Sequence, residues 1–497
     1  MNSLHTIKIN FRGGIISPGE LYKILTAAGN ANVQEVKFGL RQQLLIDTAR
    51  NKTETFIKEL DKLTVKYEVD SDEYPNIISS YPAEEVFITN TWLSEGVYKD
   101  IFDLMDHQPK LKINISDSNQ SFTPLLTGNI NWVASPSVQH FWHLFIRFPK
   151  TNVVYEWKDM VYTNDVARMS KHIEEFIFRE KEKFYDNSEA RGDELYELVN
   201  DKTYITRIID APLKLPFFNL SYYEGFNRYN DRYWLGIYRR DELFTIDFLK
   251  DVCQLCLQTK MGQLCSSPWK SLIIKGIEEK DRKPWSNLLA MYKINVRHAA
   301  NELNFQVEDN SKEGLGLKHF LVKQLNNDDT RTFGICFGIK TRSKSEVFSS
   351  ILIRRRSLLS IGRLKLFFRY DILCAKDFNP NERTGFVFSK GNPKHFLAEQ
   401  LKLAVDSFYS HQAKNSKLSG KKETKKEIAI SPKKNEYVYQ CPECFTVYDE
   451  KTGDSQQGIE AGVSYESLPG NYCCPLCETG KGSFIKIEKS TLGLQTI

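Results

Sequence analysis

No apolar run in this 497-residue sequence approaches the ~20 residues that a membrane-spanning helix needs, so no membrane association is expected. The start, Met1-Asn2-Ser3-Leu4-His5-Thr6, lacks the basic and apolar regions of a signal peptide. Lysine and arginine form no concentrated stripe, and a pI near 8.4 without one argues against a nucleic-acid partner. Histidine is scarce: the nine are dispersed, and the nearest pair, in His140-Phe141-Trp142-His143, reads as structural. Ten cysteines follow no regular disulfide framework, which fits a reducing cytoplasm.

What is present is enough for a globular chain. Hydrophobic residues make up 41% and aromatics 12%, sufficient for sizeable cores, and the length suggests about three domains. The sharpest chemistry lies near the end, in Tyr439-Gln440-Cys441-Pro442-Glu443-Cys444 and Cys474-Pro475-Leu476-Cys477. In each C-x-x-C pair a short turn lets both sulfurs reach one ion. Four thiolates, from Cys441, Cys444, Cys474 and Cys477, complete a tetrahedral site for iron or zinc.

The run between the pairs, Val447 to Asp454 and then Gly458-Ile459-Glu460-Ala461-Gly462 through Leu468-Pro469, resembles rubredoxin over roughly 438–487. The resemblance implies one iron on the four cysteines. It also implies a small aromatic core of Tyr439, Tyr448, Tyr465, Tyr472 and Phe484. So short a module cannot hold itself by apolar burial alone, so the metal must act as a staple. Three departures stand out. Phe445 and Glu478 occupy places where the family has glycine, and a left-handed backbone there costs a non-glycine residue ~1–2 kcal/mol. Tyr472 stands for the usual tryptophan, and Cys473 adds a thiol beside a ligand. A structural zinc ribbon is the alternative, although such ribbons have a shorter gap between pairs.

The net charge of +5 hides an asymmetry. Residues 438–497 hold four Lys/Arg and eight Asp/Glu, a net of −4, which leaves +9 on the rest. An acidic module tethered to a basic body can be steered toward that body or toward another basic protein; ordinary solvated faces are the plain alternative.

Upstream, Thr6 to Phe11 alternates like a strand, Arg12-Gly13-Gly14 supplies a flexible turn, and Ser17-Pro18-Gly19-Glu20 opens a helix running to about Ala28. Val36 to Asp47 then reads as one extended segment. The pattern returns 228 residues later: Trp234 to Tyr238 is strand-like, Thr245 to Gln258 helical, and Gln263 to Ile274 overlies Glu35 to Ile46. A period this long means duplication of a half-protein.

The pair of segments resembles the two ferredoxin-like halves of the siroheme-dependent nitrite and sulfite reductases, over about four-fifths of the chain. Leu40-Arg41-Gln42-Gln43-Leu44 matches the strand that ends the first half there. Ser267-Pro268-Trp269-Lys270-Ser271-Leu272 matches the one that ends the second. That family bridges siroheme to a 4Fe–4S cluster with C-x5-C and C-x3-C motifs. In Tyr292 to Asn304, His298 and Asn304 stand where two cluster cysteines would be; downstream only Cys336 and Cys374 remain, far apart, and Lys112 to Ser121 has no cysteine. A cubane needs thiolates at fixed spacing, so siroheme and a 4Fe–4S cluster are not expected. Arginines of the family meet siroheme carboxylates and the oxyanion. By that resemblance Arg12, Arg41, Arg354, Arg355 and Arg356 are candidates for an anionic ligand, with a buried salt bridge or a solvated face as the other reading. Cys253 and Cys256 form a further C-x-x-C inside a helical pattern, where cysteine is ordinarily a small buried apolar residue.

From His411 onward the chain is lysine-rich and polar, the composition of a flexible linker, whose ~25 residues would reach roughly 25–30 Å. The fold class expected is α+β: duplicated ferredoxin-like halves with associated α/β domains of sulfite-reductase-like architecture, plus a small metal-stapled rubredoxin fold. The divisions fall at 1–78 (first half), 79–215 (first α/β domain), 216–284 (second half), 285–410 (second α/β domain), 411–437 (linker) and 438–497 (rubredoxin-like domain). The function expected is cytoplasmic electron transfer by one Fe(Cys)₄ centre, an electron carrier rather than a complete reductase. Its partner would be a nitrite or sulfite reductase or that enzyme's electron donor. The alternatives are a siroheme-binding reductase with a built-in donor, anchored by Arg41 and residues 354–356, and a non-redox zinc-ribbon sensor or assembly protein.

Overall fold

Ile7, Ile9 and Phe11 alternate with Lys8 and Asn10, a period of two that buries one face of a strand. In the computed structural model this strand, Leu4–Ile9, pairs antiparallel with Leu44–Ala49 on one side and Tyr67–Val69 on the other. The structure describes residues 4–87, 91–119, 122–200, 203–215, 218–342, 347–361, 364–381, 384–422, 437–444, 446–454 and 457–489. They form two compact units, 1–415 and 416–497.

In the first unit, helix Pro18–Asn30 begins where Ser17 Oγ accepts from the Glu20 N–H at 3.4 Å, with Pro18 in the first turn. Leu21, Ile24, Leu25 and Ala28 make its buried stripe. The segment expected to be continuously extended from Val36 to Asp47 is instead a hairpin of Glu35–Phe38 and Leu44–Ala49. Gly39 N–H donates to Gln43 O at 2.8 Å, and Gln42 takes a φ of +61° to reverse the chain. Helix Arg50–Lys62 and strand Tyr67–Val69 complete a βαββαβ unit.

The second half reproduces the first at an offset of 228 residues. Strands Arg232–Ile237 and Leu272–Ile277 and helix Ile246–Gln258 coincide end for end with Leu4–Ile9, Leu44–Ala49 and Pro18–Asn30. The left-handed turn residue recurs too, as Lys270 at φ +56° opposite Gln42. One strand is permuted: the place of Tyr67–Val69 is taken by Gly225–Tyr229, which precedes the half rather than ending it. The halves exchange short strands. Phe244–Thr245 extends the first sheet beside Glu35–Phe38, and Ile15–Ile16 extends the second beside Leu264–Ser266. Helices Pro18–Asn30 and Ile246–Gln258 pack together over one core that draws on both sheets.

Each half is followed by an α/β sheet of like topology. In the first, Ile78–Ser79, Ile113–Ser116 and Ile130–Ala134 run parallel, then Phe141–Arg147, Asp159–Tyr162 and Thr206–Ile208 add antiparallel. In the second, Phe305–Val307, Phe337–Lys340 and Ile351–Ile361 are parallel, followed by Leu364–Ala375 and Gly385–Asn392 antiparallel. The turn Arg12–Gly14 is packed rather than loose. Gly13, at φ +63°, leaves no room for a Cβ, which would lie 2.3 Å from Phe102 Cζ.

The expected linker needs a correction. Helix Lys394–Lys422 occupies its first part, through 411–422, while 423–436 lie outside the described residues. Leu397, Leu401, Ala404, Val405 and Phe408 bury one stripe of this helix. Beyond it, Gln, Ala, Lys and Leu have high intrinsic helix preference, so a polar sequence unable to bury a core still prolongs a helix already started.

The second unit is a three-stranded sheet, Val447–Tyr448, Tyr437–Gln440 and Ile485–Glu488, over a core of Tyr439, Tyr448, Tyr465, Leu468 and Tyr472. Tyr439 and Tyr465 stack with centroids 3.7 Å apart and planes 9° apart, and Phe484 packs against the same group.

Candidate metal centre

The two C-x-x-C pairs lie on matching turns. Cys441 N–H donates to Thr446 O and Cys474 N–H to Thr479 O, both at 2.8 Å, so each loop closes on itself and turns its two sulfurs inward. Backbone N–H groups of Cys444 and Glu443 point at the Cys441 sulfur. Glu478, where the resembling family has glycine, takes a φ of +59°, the left-handed conformation expected to cost ~1–2 kcal/mol there. Its N–H donates to Cys474 O at 2.9 Å. Phe445, the corresponding residue of the first pair, lies outside the described residues.

The four sulfurs converge. Cys441 Sγ lies 3.4 Å from Cys477 Sγ and Cys444 Sγ 3.4 Å from Cys474 Sγ, and all four lie within 4.8 Å of one another. A tetrahedron with metal–sulfur bonds of about 2.3 Å sets sulfurs about 3.8 Å apart, inside that range, so the donor set fits one four-thiolate ion. Cys441 and Cys474 are fully buried, Cys444 is half-buried and Cys477 exposed, with Leu476 beside it 74% exposed. One edge of the centre therefore meets solvent. The Cys444 thiol is lowered to about 6, first by the Thr446 hydroxyl and then by the Thr446 N–H. Cys477, although the Thr479 hydroxyl and N–H lower it, is held up at about 11 by desolvation and by Cys444 and Cys441. Ligation by a cation removes this competition, because every sulfur then binds as thiolate.

Tyr472, in place of tryptophan, donates its hydroxyl to Asp454 at 2.8 Å. Cys473 is not one of the converging sulfurs; Gln457 Nε2 lies 3.9 Å from its sulfur. The remaining cysteines of the body are buried and join no metal-ligating group among the described residues. Cys253 and Cys256 are fully buried in helix Ile246–Gln258, and burial pushes the Cys253 thiol up to about 12. Cys336 donates its S–H to Phe348 O at 3.1 Å, and Cys374 is buried on Leu364–Ala375. Among the described residues, no other three His, Cys, Asp or Glu converge as metal ligands.

His298 and Asn304 are held by protein groups. Buried Glu224 accepts from His298 N–H at 2.6 Å and pairs with His298 Nδ1 at 2.7 Å; Asn304 Nδ2 donates to Thr332 O at 2.6 Å. The five candidate arginines do not gather. Arg41 is buried, with Nε and Nη2 donating to Asn76 O at 2.9 and 2.7 Å and Nη2 to Ile113 O at 3.0 Å; burial lowers it to about 10. Arg12 donates to Phe102 O and lines a cavity of about 430 Å³ with Lys8, Lys66 and His107. Arg354 and Arg356 share Asp371 at 3.0 and 2.7 Å, and Arg355 pairs with Glu313. A second cavity, about 590 Å³, is lined by both signs of charge, Lys8, Arg41, Arg50 and Arg342 against Asp70, Asp72, Glu308 and Asp309. Thr446 and Thr479, which touch the sulfurs, escaped the reading of the sequence. Their signal was there, a threonine two places after each pair in C-P-E-C-F-T and C-P-L-C-E-T.

A four-thiolate centre with one open edge, on an aromatic core a few residues wide, defines a small one-metal module. Residues 438–484 match the rubredoxin family. They are 45% identical over 49 residues to Rubredoxin-2 of Chlorobaculum tepidum, a stretch covering 94% of that protein and 10% of this chain. The High molecular weight rubredoxin of Moorella thermoacetica is 39% identical over 66 residues, 13% of this chain and 27% of that one. Through this last segment the chain belongs to the rubredoxin family. The body is similar in fold to the Mycobacterium tuberculosis NirA protein, with a TM-score of 0.63 at 13% identity, covering 82% of this chain and 81% of that chain. The protein is therefore a rubredoxin electron-transfer domain fused to a body with the fold of the NirA protein, and the four-cysteine site implies an iron ion.

Proposed function

We propose that this protein is an electron carrier of nitrite or sulfite reduction, in which Cys441, Cys444, Cys474 and Cys477 hold one iron and the body recognises the redox partner. The observation that carries this is the convergence of four sulfurs within 4.8 Å with the Cys477 edge open to solvent. The iron, once bound, supplies one-electron chemistry; the chain orients the sulfurs and shields the two buried ones from water.

The body favours recognition over catalysis by siroheme. Arg41 is committed to the backbone carbonyls of Asn76 and Ile113 rather than to a ligand. His298 and Asn304, which the sequence resemblance aligns with two cluster thiolates, are each satisfied by protein partners. The division of labour follows the segments 1–78, 79–215, 216–284, 285–410 and 438–497, with a nitrite or sulfite reductase, or its donor, as partner.

The test is optical. Purified full-length protein with one iron, a red colour and no tetrapyrrole bands should, once reduced, be reoxidised on mixing with a nitrite or sulfite reductase turning over its substrate. A tetrapyrrole spectrum, or iron that no such enzyme reoxidises, would sink the assignment.

A further inference from the structure

The two threonines behind the cysteine pairs make the same set of contacts. The Thr446 carbonyl accepts from Cys441 N–H and the Thr479 carbonyl from Cys474 N–H, each at 2.8 Å, which ties both backbones into the turns. From that fixed position the Thr446 N–H points at the Cys444 sulfur and the Thr479 N–H at the Cys477 sulfur. The hydroxyls do the same: Thr446 Oγ1 lies 3.1 Å from Cys444 Sγ, and Thr479 Oγ1 lies 3.1 Å from Cys477 Sγ. These are the two sulfurs on the open side, half-buried Cys444 and exposed Cys477, while Cys441 and Cys474 lie fully buried. A metal-bound thiolate carries no proton, so in the loaded site only the hydroxyl can donate.

We propose that Thr446 and Thr479 are potential-setting residues, whose hydroxyls donate to the Cys444 and Cys477 thiolates and raise the midpoint potential of the centre. This rests on the iron reading above. One electron from a one-electron donor, such as a reduced flavoprotein, converts ferric to ferrous iron. The charge on metal plus four thiolates falls from −1 to −2, with no bond made and no proton moved. A hydroxyl dipole directed at sulfur interacts more strongly with the more negative state, so it favours the reduced form. Solvent could offer hydrogen bonds to an exposed sulfur, but water must reorient as the electron arrives. Donors already locked in place by their own backbone need not.

The test compares the full-length iron protein with Thr446→Val, Thr479→Val, the double variant and the two Thr→Ser variants, by optical redox titration with mediators and by the sulfur-to-iron charge-transfer bands. Each valine should lower the midpoint, with reduction weakened several-fold; a tenfold change would read as 59 mV for one electron. The double variant should add the two shifts, and serine should keep the parent potential. The bands should move to lower energy with valine and stay with serine. Thr446→Ala and Thr479→Ala give the same comparison should a valine methyl crowd the turn. Unchanged potentials and bands in the valine and alanine variants, or serine shifting as far as valine, would overturn the proposal. A parent protein that takes up iron yet shows no reduction defeats the electron-carrier reading instead.

Discussion

Replacing Arg41 by methionine should destabilise the body by about 2–6 kcal/mol while leaving the iron module's spectrum untouched. Arg41 Nε and Nη2 both reach Asn76 O, and Nη2 also reaches Ile113 O, inside a site where the side chain is 5% exposed. Methionine fills much of the volume but donates nothing. Two buried carbonyls lose a donor, at about 1–3 kcal/mol for each unmet group. The assay separates the units cleanly. All seven tryptophans lie between Trp92 and Trp285, so tryptophan fluorescence in urea reports the body, and visible absorption reports the iron. A fluorescence midpoint within about 1 kcal/mol of the parent would refute the reasoning, because it would mean that this guanidinium is not held by the fold and remains available to a ligand.

Three further outcomes are expected. Chelation of the metal, or Cys441→Ser, should abolish the colour and unfold the small unit, seen as loss of near-ultraviolet dichroism from the Tyr439–Tyr465 stack, since five core side chains cannot hold it alone. Gly13→Ala should cost about 2–4 kcal/mol, combining a left-handed backbone with a Cβ 2.3 Å from Phe102, and should lower the body's fluorescence midpoint. Glu174, buried while accepting from Lys110 and Leu111 N–H, has its carboxyl raised by desolvation. Its contribution is therefore full below the ordinary glutamate range and lost as pH rises through the raised value. Glu174→Gln should then flatten the acid side of the body's stability profile and leave the protein no less stable at neutral pH, checked by urea midpoints across pH.

The parts of the molecule legible in the sequence were those written in residue identity. Four cysteines with prolines in their turns located the metal centre, and Tyr439, Tyr448, Tyr465 and Tyr472 form the core that the family resemblance implied. The 228-residue offset revealed the duplication because the same strands and helix recur with the same ends. What stayed hidden depended on partners distant in the chain. The reversal at Gly39–Gln43 rests on a glutamine at φ +61°, whose Nε2 and Oε1 bond Ser79 and whose Nε2 also bonds Ser266, contacts absent from any local pattern. The exchanged strands Ile15–Ile16 and Phe244–Thr245 are two residues each, too short for periodicity to register. The helix through 411–422 ran against a reading based on burial, where intrinsic preference decided.

The exchange of strands between the halves also sets the order in which this chain can be finished. Glu35–Phe38 acquires its outer neighbour only from Phe244–Thr245, about 200 residues further on, on the order of 10–40 s later during synthesis. Until then a bare hydrogen-bonding edge faces the ribosome's surroundings, and the nascent amino-terminal half is an unclosed ring awaiting its clasp. Premature termination anywhere before that point would leave the edge exposed, and such fragments should be recovered as aggregates or chaperone-bound species rather than as a stable half-protein.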